Sequence, residues 1–310
     1  MSARILLTGK NGQVGGELVR LLPEIGDVSA VDRQQLDLAH PDQVRRMIRD
    51  IRPQLIVNAA AYTPVDLAEK EESLARSINT DAPGLMAEEA KKIGAVLVHY
   101  STDYVFDGAK NTPYEETDPT NPLNAYGRTK LGGEHAIRHA AVPHLILRTQ
   151  WVYGNRGKNF LLTILRLATE REELRIVSDQ FGAPTWSREI ARATTNILGQ
   201  LLGLGAGTQS FERVSGTYNM TAAGQTTWHE FAVAILDGAL RAPQGSWLRA
   251  GSRKPLTVQR IVPIKTQDYP TPARRPAYSV LSNRRLSETF AVHLPEWRAQ
   301  LDSVLAGGVE

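Results

Sequence analysis

Tyr126 and Lys130 stand four positions apart in Tyr126-Gly127-Arg128-Thr129-Lys130, so on a helix their side chains share one face. A phenol of ordinary pKa near ~10 gives up its proton poorly at neutral pH, and an ammonium beside it stabilises the phenolate. Such a pair can hand a proton to a carbonyl oxygen, which is general-acid chemistry. Ser101-Thr102 closes the apolar run containing His99-Tyr100, about 24 residues before Tyr126, where a hydroxyl can steady the oxygen being protonated. A Tyr-x-x-x-Lys pair alone is common by chance, and an ordinary surface helix is its plain alternative. Its weight therefore rests on what surrounds it.

The strongest local signal is Thr8-Gly9-Lys10-Asn11-Gly12-Gln13-Val14-Gly15, a GxxGxxG spacing between an apolar run and a helical-period segment. Glycines there let the backbone turn tightly and approach a pyrophosphate, whose charge meets free N–H groups and the positive end of a helix. A plain strand-to-helix turn would use the same residues. Asp32 follows Gly12 by about 20 positions, where an acid accepts hydrogen bonds from an adenosine ribose. Arg33 directly after it can instead receive a 2′-phosphate, so NADPH and NADH both stay open. Asp37-Leu38 and Ala59-Ala60-Ala61 fall where later strand ends would line the same crevice, although alanine runs also serve plain packing. With such a coenzyme bound, hydride would come from the nicotinamide, and Lys130 could bond its ribose.

Positioning these groups requires a particular framework. Apolar runs of strand length at 4–8, 28–32, 55–59, 96–100 and 145–149 alternate with helical-period segments such as 14–22 and 41–51. Strands alternating with helices imply a parallel sheet covered on both faces, because each parallel return needs a crossover. The expected fold class is α/β, a doubly wound Rossmann-type parallel sheet with a smaller C-terminal substrate-binding lobe. The dinucleotide-binding domain is placed at 1–150, with some later elements returning to it, and the intertwined lobe at 151–310. In that second half the rhythm loosens into a helix over 160–171, a Gly-rich stretch 203–216, a helix after Thr227 and a Pro-rich run 269–276.

Composition narrows the chemistry further. With no cysteine among 310 residues, thiolate metal sites, cysteine nucleophiles and disulfides are excluded. The balance of 36 basic and 33 acidic side chains, spread without basic blocks, gives no nucleic-acid footprint and suits an anionic small substrate. No apolar stretch approaches the ~18 residues that a membrane span needs, and the first apolar run is too short for a signal segment, so a cytoplasmic protein is expected. His229-Glu230 is followed by Val233, so the H-E-x-x-H zinc pattern is missing, and no metal site is expected. Glu69-Lys70-Glu71-Glu72, and Glu88-Glu89 with Lys91-Lys92, read as solvated helix faces.

With these residues in hand, the chain resembles the extended short-chain dehydrogenase/reductase superfamily, and within it the dTDP-4-dehydrorhamnose reductase family. The likeness runs over nearly the whole length, through Gly9-Lys10-Asn11-Gly12-Gln13-Val14-Gly15, Val57-Asn58-Ala59-Ala60-Ala61 and His99-Tyr100-Ser101-Thr102-Asp103-Tyr104-Val105-Phe106. It continues in Pro122-Leu123-Asn124-Ala125-Tyr126-Gly127, Arg148-Thr149-Gln150-Trp151-Val152-Tyr153, Asp179-Gln180-Phe181-Gly182-Ala183-Pro184-Thr185 and Tyr269-Pro270-Thr271-Pro272-Ala273-Arg274-Arg275-Pro276.

The resemblance implies that Thr102, Tyr126 and Lys130 are the catalytic trio. It implies coenzyme contacts at Gly12, Gln13, Val14, Asp32, Asp37, Leu38, Ala61, Tyr62 and Thr63, with Gly9, Asn11, Ala59, Ala60, Tyr126 and Lys130 completing the set. It further implies sugar-nucleotide contacts at Val65, Asp66, Thr102, Asp103, Tyr104, Tyr126 and Trp151. The implied reaction is reduction of the C4 ketone of dTDP-4-dehydro-β-L-rhamnose by NADPH or NADH. Related dehydratases tend to carry Thr-Asp-Glu where this chain has Thr102-Asp103-Tyr104, which favours simple carbonyl reduction. Some members bridge a homodimer with magnesium. Glu17 and Glu189 match two such positions, but Arg298 stands at the third where an acid would be, which counts against that metal. Asn159-Phe160 and Arg274-Arg275 are candidates for the diphosphate, with a structural role equally open. Two alternatives remain: another sugar-nucleotide epimerase or dehydratase, and a non-catalytic nucleotide-binding subunit of the kind that serves methionine adenosyltransferase.

Overall fold

The computed structural model describes residues 2–203, 208–241 and 256–306, so part of the Gly-rich stretch 203–216 lies outside the described residues. The first half is built as β1 (Ala3–Thr8), α1 (Gln13–Leu21), β2 (Gly26–Val31), α2 (Pro41–Ile51) and β3 (Leu55–Asn58). Two short helices follow, α3 (Val65–Ala68) and α4 (Glu72–Arg76), then α5 (Ala82–Ile93), β4 (Val96–Thr102), α6 (Ala125–Ala140) and β5 (His144–Thr149). All five expected strands form, within two residues of their anticipated ends.

A six-stranded sheet runs in the order Gly216–Asn219, β5, β4, β3, β1, β2, and every pairing in it is parallel. Strand order reverses at β1 and β3, and ligands of such sheets bind in the crevice that opens there beyond the carboxyl ends. Alternation along each strand supplies both faces. Ile5, Leu7, Val57 and Val98 pack with Ile190 and Ile197 of the helix Ser187–Gly203 on one side. Leu6, Ile56, Leu97 and Ile146 pack with Val44, Ile48, Met86 and Ile137 on the other.

The later chain builds its own apolar cluster from Tyr153, Leu161, Ile164, Phe231, Ile235 and Leu301. Its small sheets are two-stranded: Arg260–Ile264 with Glu173–Val177, Val152–Tyr153 with Thr185–Trp186, and Phe181–Gly182 with Thr226–Thr227. The helix expected over 160–171 ends at Ala168, and Asn159 caps its start by accepting the Leu162 amide at 3.0 Å. His229-Glu230 lies in a helix start of another kind. Thr227 Oγ1 accepts the Glu230 amide and Glu230 accepts the Thr227 amide, a reciprocal cap that gives Glu230 a structural role.

One surface expectation is corrected. Glu89 is only 1 % exposed, because α2 packs on α5 and leaves its carboxylate between Arg49 at 2.8 Å and Lys92 at 2.7 Å. The other acidic run is exposed as expected; within it Glu69 accepts the Ala125 amide and Glu72 pairs with Arg128, tying the run to the head of α6, while Glu71 accepts the Tyr62 hydroxyl.

Candidate active site

A cleft of about 640 Å³ opens at the switch point. The glycine loop forms one wall. Gly9 has a φ of +74°, and a Cβ there would stand 2.9 Å from the Ala59 carbonyl; a Cβ on Gly15 would meet the Gly9 carbonyl oxygen at 2.1 Å. Only glycine lets the turn close this tightly against β3. Behind the loop, α1 starts at Gln13 with no side-chain cap and no acid in its first turn, which leaves N–H groups and the positive helix end for an anion. That chemistry fits the pyrophosphate of a dinucleotide.

Every coenzyme position anticipated from sequence lines this one cleft: Gly9, Asn11, Gly12, Gln13, Val14, Asp32, Asp37, Leu38, Ala59, Ala60, Ala61, Tyr62, Thr63, Tyr126 and Lys130. Asp32 is the first residue past β2. Its carboxylate receives the Gln34 and Gln35 amides and lies 3.3 Å from both Lys10 Nζ and Asn11 Nδ2. Burial raises this carboxyl, but the Gln35 and Gln34 amides and Lys10 together outweigh it and hold it below the usual carboxylate range. Arg33 stands exposed at the rim beside Asp37, 3.4 Å away.

On the opposite wall Asn124 caps α6, its Oδ1 accepting the Gly127 amide at 2.8 Å while its Nδ2 reaches the Arg274 carbonyl at 2.7 Å. The first turn therefore carries Tyr126 at a fixed height. A π-helical turn, Ser77–Asp81, then presses on α6: Asn79 donates to Thr129 Oγ1 at 3.2 Å and Thr80 to the Thr129 carbonyl at 2.6 Å. A Cβ on Gly133 would lie 2.2 Å from the Asn79 carbonyl oxygen, so glycine permits this approach.

The electrostatics correct one expectation. Burial pushes the half-buried Tyr126 phenol up to about 12, and the neighbour that favours its ionised form is the Thr102 hydroxyl. Lys130 is 1 % exposed, and its Nζ lies 3.0 Å from His99 Nε2 and 2.6 Å from the Tyr100 carbonyl. Burial lowers this amine to about 7. The lysine lines the cleft but is held by β4, and the neighbour that lowers the phenol is Thr102 rather than the i,i+4 lysine.

Of the anticipated sugar-side residues only Tyr126 lines this cleft, and Asp66 lines a second cavity. Thr102 ends β4 and donates to Asp103 Oδ1 at 2.9 Å. Asp103, 2 % exposed, also receives Gln150 Nε2 at 3.1 Å, and burial raises its carboxyl to about 6. The Tyr104 ring meets that of Tyr126 edge-on at 5.8 Å. Val65 and Asp66 begin α3, and Asp66 is gripped by Arg275 at 2.8 and 3.1 Å. Both of that pair line a second cavity with Gln180, Trp228 and Tyr269. Trp151 adopts a left-handed φ of 43° and stacks on Trp228 at 3.5 Å. Arg275 thus serves Asp66, and Asn159 links Gln13 Oε1 to its helix cap.

Sequence reasoning did not single out Gln150, which joins Asp103 to Ser279 and the Ala183 amide, nor Lys158, which enters the cleft from the second half. Neither carries a local signal. Glu17 is buried between Arg188 at 3.1 Å and Arg156 at 3.8 Å, and Glu189 pairs with Arg192. No cluster of three metal-ligating side chains occurs among the described residues.

Comparison with known proteins agrees with this geometry. A family described as the RmlD substrate binding domain matches residues 3–308. A dTDP-4-dehydrorhamnose reductase of Burkholderia thailandensis is 51% identical over 95% of this chain and 95% of its own length. One of Escherichia coli K12 is 42% identical over 97% and 96%. The crystal structure of a dTDP-4-dehydrorhamnose reductase from Bacillus anthracis in complex with NADP superposes with a TM-score of 0.85 at 34% identity, covering 98% of this chain and 99% of that one.

Proposed function

The chain belongs to the RmlD substrate binding domain family, and from that premise we propose that it reduces the C4 ketone of dTDP-4-dehydro-β-L-rhamnose to the alcohol, forming dTDP-β-L-rhamnose for cell-surface polysaccharide. NADPH or NADH is the reductant, supplying hydride to C4 when bound. The glycine loop and α1 hold the pyrophosphate, and the Asp32–Arg33 corner meets the adenosine ribose. Tyr126 delivers its phenolic proton to the C4 oxygen, and Thr102 supports the charge left on the phenol. Lys130 bonds the nicotinamide ribose. Val65, Asp66, Asp103, Tyr104 and Trp151 position the sugar nucleotide.

The observation that carries this reading is that Tyr126 and Lys130 line one cleft with the glycine loop, with the Thr102 hydroxyl beside the Tyr126 phenol. Residues 1–150, joined by later elements, form the coenzyme unit, and 151–310 the substrate lobe. The reading fits a cytoplasmic enzyme acting without nucleic acid, and sedimentation tests whether it works as a monomer or as a homodimer. No helix among the described residues is long and apolar enough to cross a membrane.

Incubating the purified protein with dTDP-4-dehydrorhamnose and each reduced coenzyme tests the proposal. Net coenzyme oxidation with dTDP-rhamnose as product is the expected outcome. Isomerised or dehydrated sugar without net oxidation would indicate an epimerase or dehydratase, and no reaction would indicate a binding subunit.

A further inference from the structure

Gln150 is the first residue past β5, and Asp103 the first past β4. Parallel register sets Thr102 opposite Thr149, so the two side chains emerge as neighbours at the carboxyl edge, both buried. The Ala183 amide donates to Gln150 Oε1 at 2.8 Å. A backbone N–H can only donate, so it fixes which way the Gln150 amide points. The NH2 end consequently faces Asp103 Oδ2 at 3.1 Å and the Ser279 carbonyl at 2.7 Å, one hydrogen for each. The buried Ser279 hydroxyl, 2.6 Å from the same nitrogen, gives its own hydrogen to Asp103.

Asp103 thus receives three neutral donors, Gln150, Ser279 and the Thr102 hydroxyl at 2.9 Å. The third is the one with a second claimant. Thr102 Oγ1 carries a single hydrogen, and one of its lone pairs is taken by the Tyr104 amide at 3.2 Å. At rest that hydrogen lies on Asp103, although the Tyr126 phenol is the other neighbour. For Thr102 to support the phenolate, the hydrogen must turn from the carboxylate to the phenol oxygen. A buried carboxylate with no other partner would hold it tightly, because losing it would leave the charge bare. With two donors remaining, the carboxylate can release it.

We infer that Gln150 and Ser279 are positioning residues for proton transfer, acting through Asp103 to free the Thr102 hydrogen for the Tyr126 phenolate. The inference rests on the reading of Tyr126 as proton donor, and it is independent of which sugar is reduced. The charged and titratable groups around Asp103 are accounted for. Tyr104 beside it and Tyr126 on α6 are both held in their protonated forms by burial. Arg275, beyond Tyr104, is already gripped by Asp66. Gln150 and Ser279 also carry the joint between two later segments, since the Ser279 amide donates to the Phe181 carbonyl at 3.0 Å. The hydroxyl that serves the phenol is therefore set from the second half of the chain.

Ser279→Ala removes one of the two donors and Gln150→Leu the other. At ~pH 8, where Asp103 is ionised, each should lower kcat ~10-fold while coenzyme affinity stays within ~2-fold of the unmodified protein. In a Thr102→Val background neither should lower turnover further, because the hydrogen they act through is gone. A merely structural role would add its loss in both backgrounds. Without any substrate, the carbon-13 resonance of the Asp103 carboxyl, assigned with Asp103→Asn, should titrate roughly one pKa unit higher in either variant. Full turnover in Ser279→Ala, losses that add to that of Thr102→Val, or an unmoved Asp103 titration overturns the inference. If Gln150→Leu does not fold, Ser279→Ala decides alone. An unmodified protein that oxidises no coenzyme would overturn the reading of Tyr126 itself, whereas a reacting protein with unaffected variants overturns this inference only.

Discussion

Lys130 follows Tyr126 by one turn of α6, yet its amine is spent on His99 Nε2 at 3.0 Å and the Tyr100 carbonyl at 2.6 Å, while Thr102 is the neighbour that eases ionisation of the phenol. Burial pushes the phenol up to about 12, so it is protonated through the neutral range and needs the Thr102 hydroxyl to ease release of the proton.

Replacing Thr102 by Val removes the hydroxyl that favours the phenolate, with little change in shape. Turnover should fall ~10- to 100-fold, with coenzyme affinity unchanged, as expected for a group whose contribution grows when charge develops. Steady-state kinetics with coenzyme titrations would show it. An unaltered kcat would place Thr102 outside the chemistry.

Coenzyme preference should be set at the cleft rim. Arg33 is exposed beside Asp37, whereas Asp32 is already engaged with Lys10 and Asn11. Arg33→Ala should lower kcat/KM for NADPH ~10-fold and leave that for NADH within ~2-fold, because only the former carries a 2′-phosphate. Equal losses with both coenzymes would remove Arg33 from that role.

Arg275 and Asp66 join the C-terminal segment to α3 through a two-pronged ion pair at 2.8 and 3.1 Å. Arg275→Ala should raise KM for the sugar nucleotide more than it lowers kcat, since both residues line the cavity beside the cleft. Unchanged kinetics would show that the pair is structural only.

Asp103 makes stability depend on pH. Burial raises its carboxyl to about 6 from the model-peptide range near ~3.9, so the folded protein holds this proton more tightly than the unfolded chain. The stabilisation is complete below ~pH 4 and is lost as pH rises through about 6. Asp103→Asn keeps an acceptor for Thr102 and cannot ionise. Its melting temperature relative to the unmodified protein should therefore improve between ~pH 5 and ~pH 8. Parallel curves for the two proteins would contradict the assignment.

Much of this architecture is legible in the sequence because the sheet is buried on both faces, so its strands read as short apolar runs bounded by loops. The glycine loop is equally readable, since Gly9 and Gly15 answer a steric demand imposed within a few residues. Lys130 is different. Its partner His99 sits on another element, and His99 is in turn committed by Asn58 through strand register, which local spacing does not encode. Glu89 escapes for a similar reason: the Glu-Lys pattern looks solvated until α2 brings Arg49 against it. Trp151 is hidden too, because its left-handed backbone is maintained by stacking on Trp228 and by the close approach of Gly182.

The proton donor is the centre of the account, and single-turnover oxidation of bound NADPH by dTDP-4-dehydrorhamnose, in the unmodified protein and in Tyr126→Phe, tests it most directly. The unmodified protein should convert the bound coenzyme and sugar one for one, while the variant binds coenzyme equally well and reacts ~10²- to 10⁴-fold more slowly. A variant that oxidises NADPH at the unmodified rate would show that the proton comes from elsewhere.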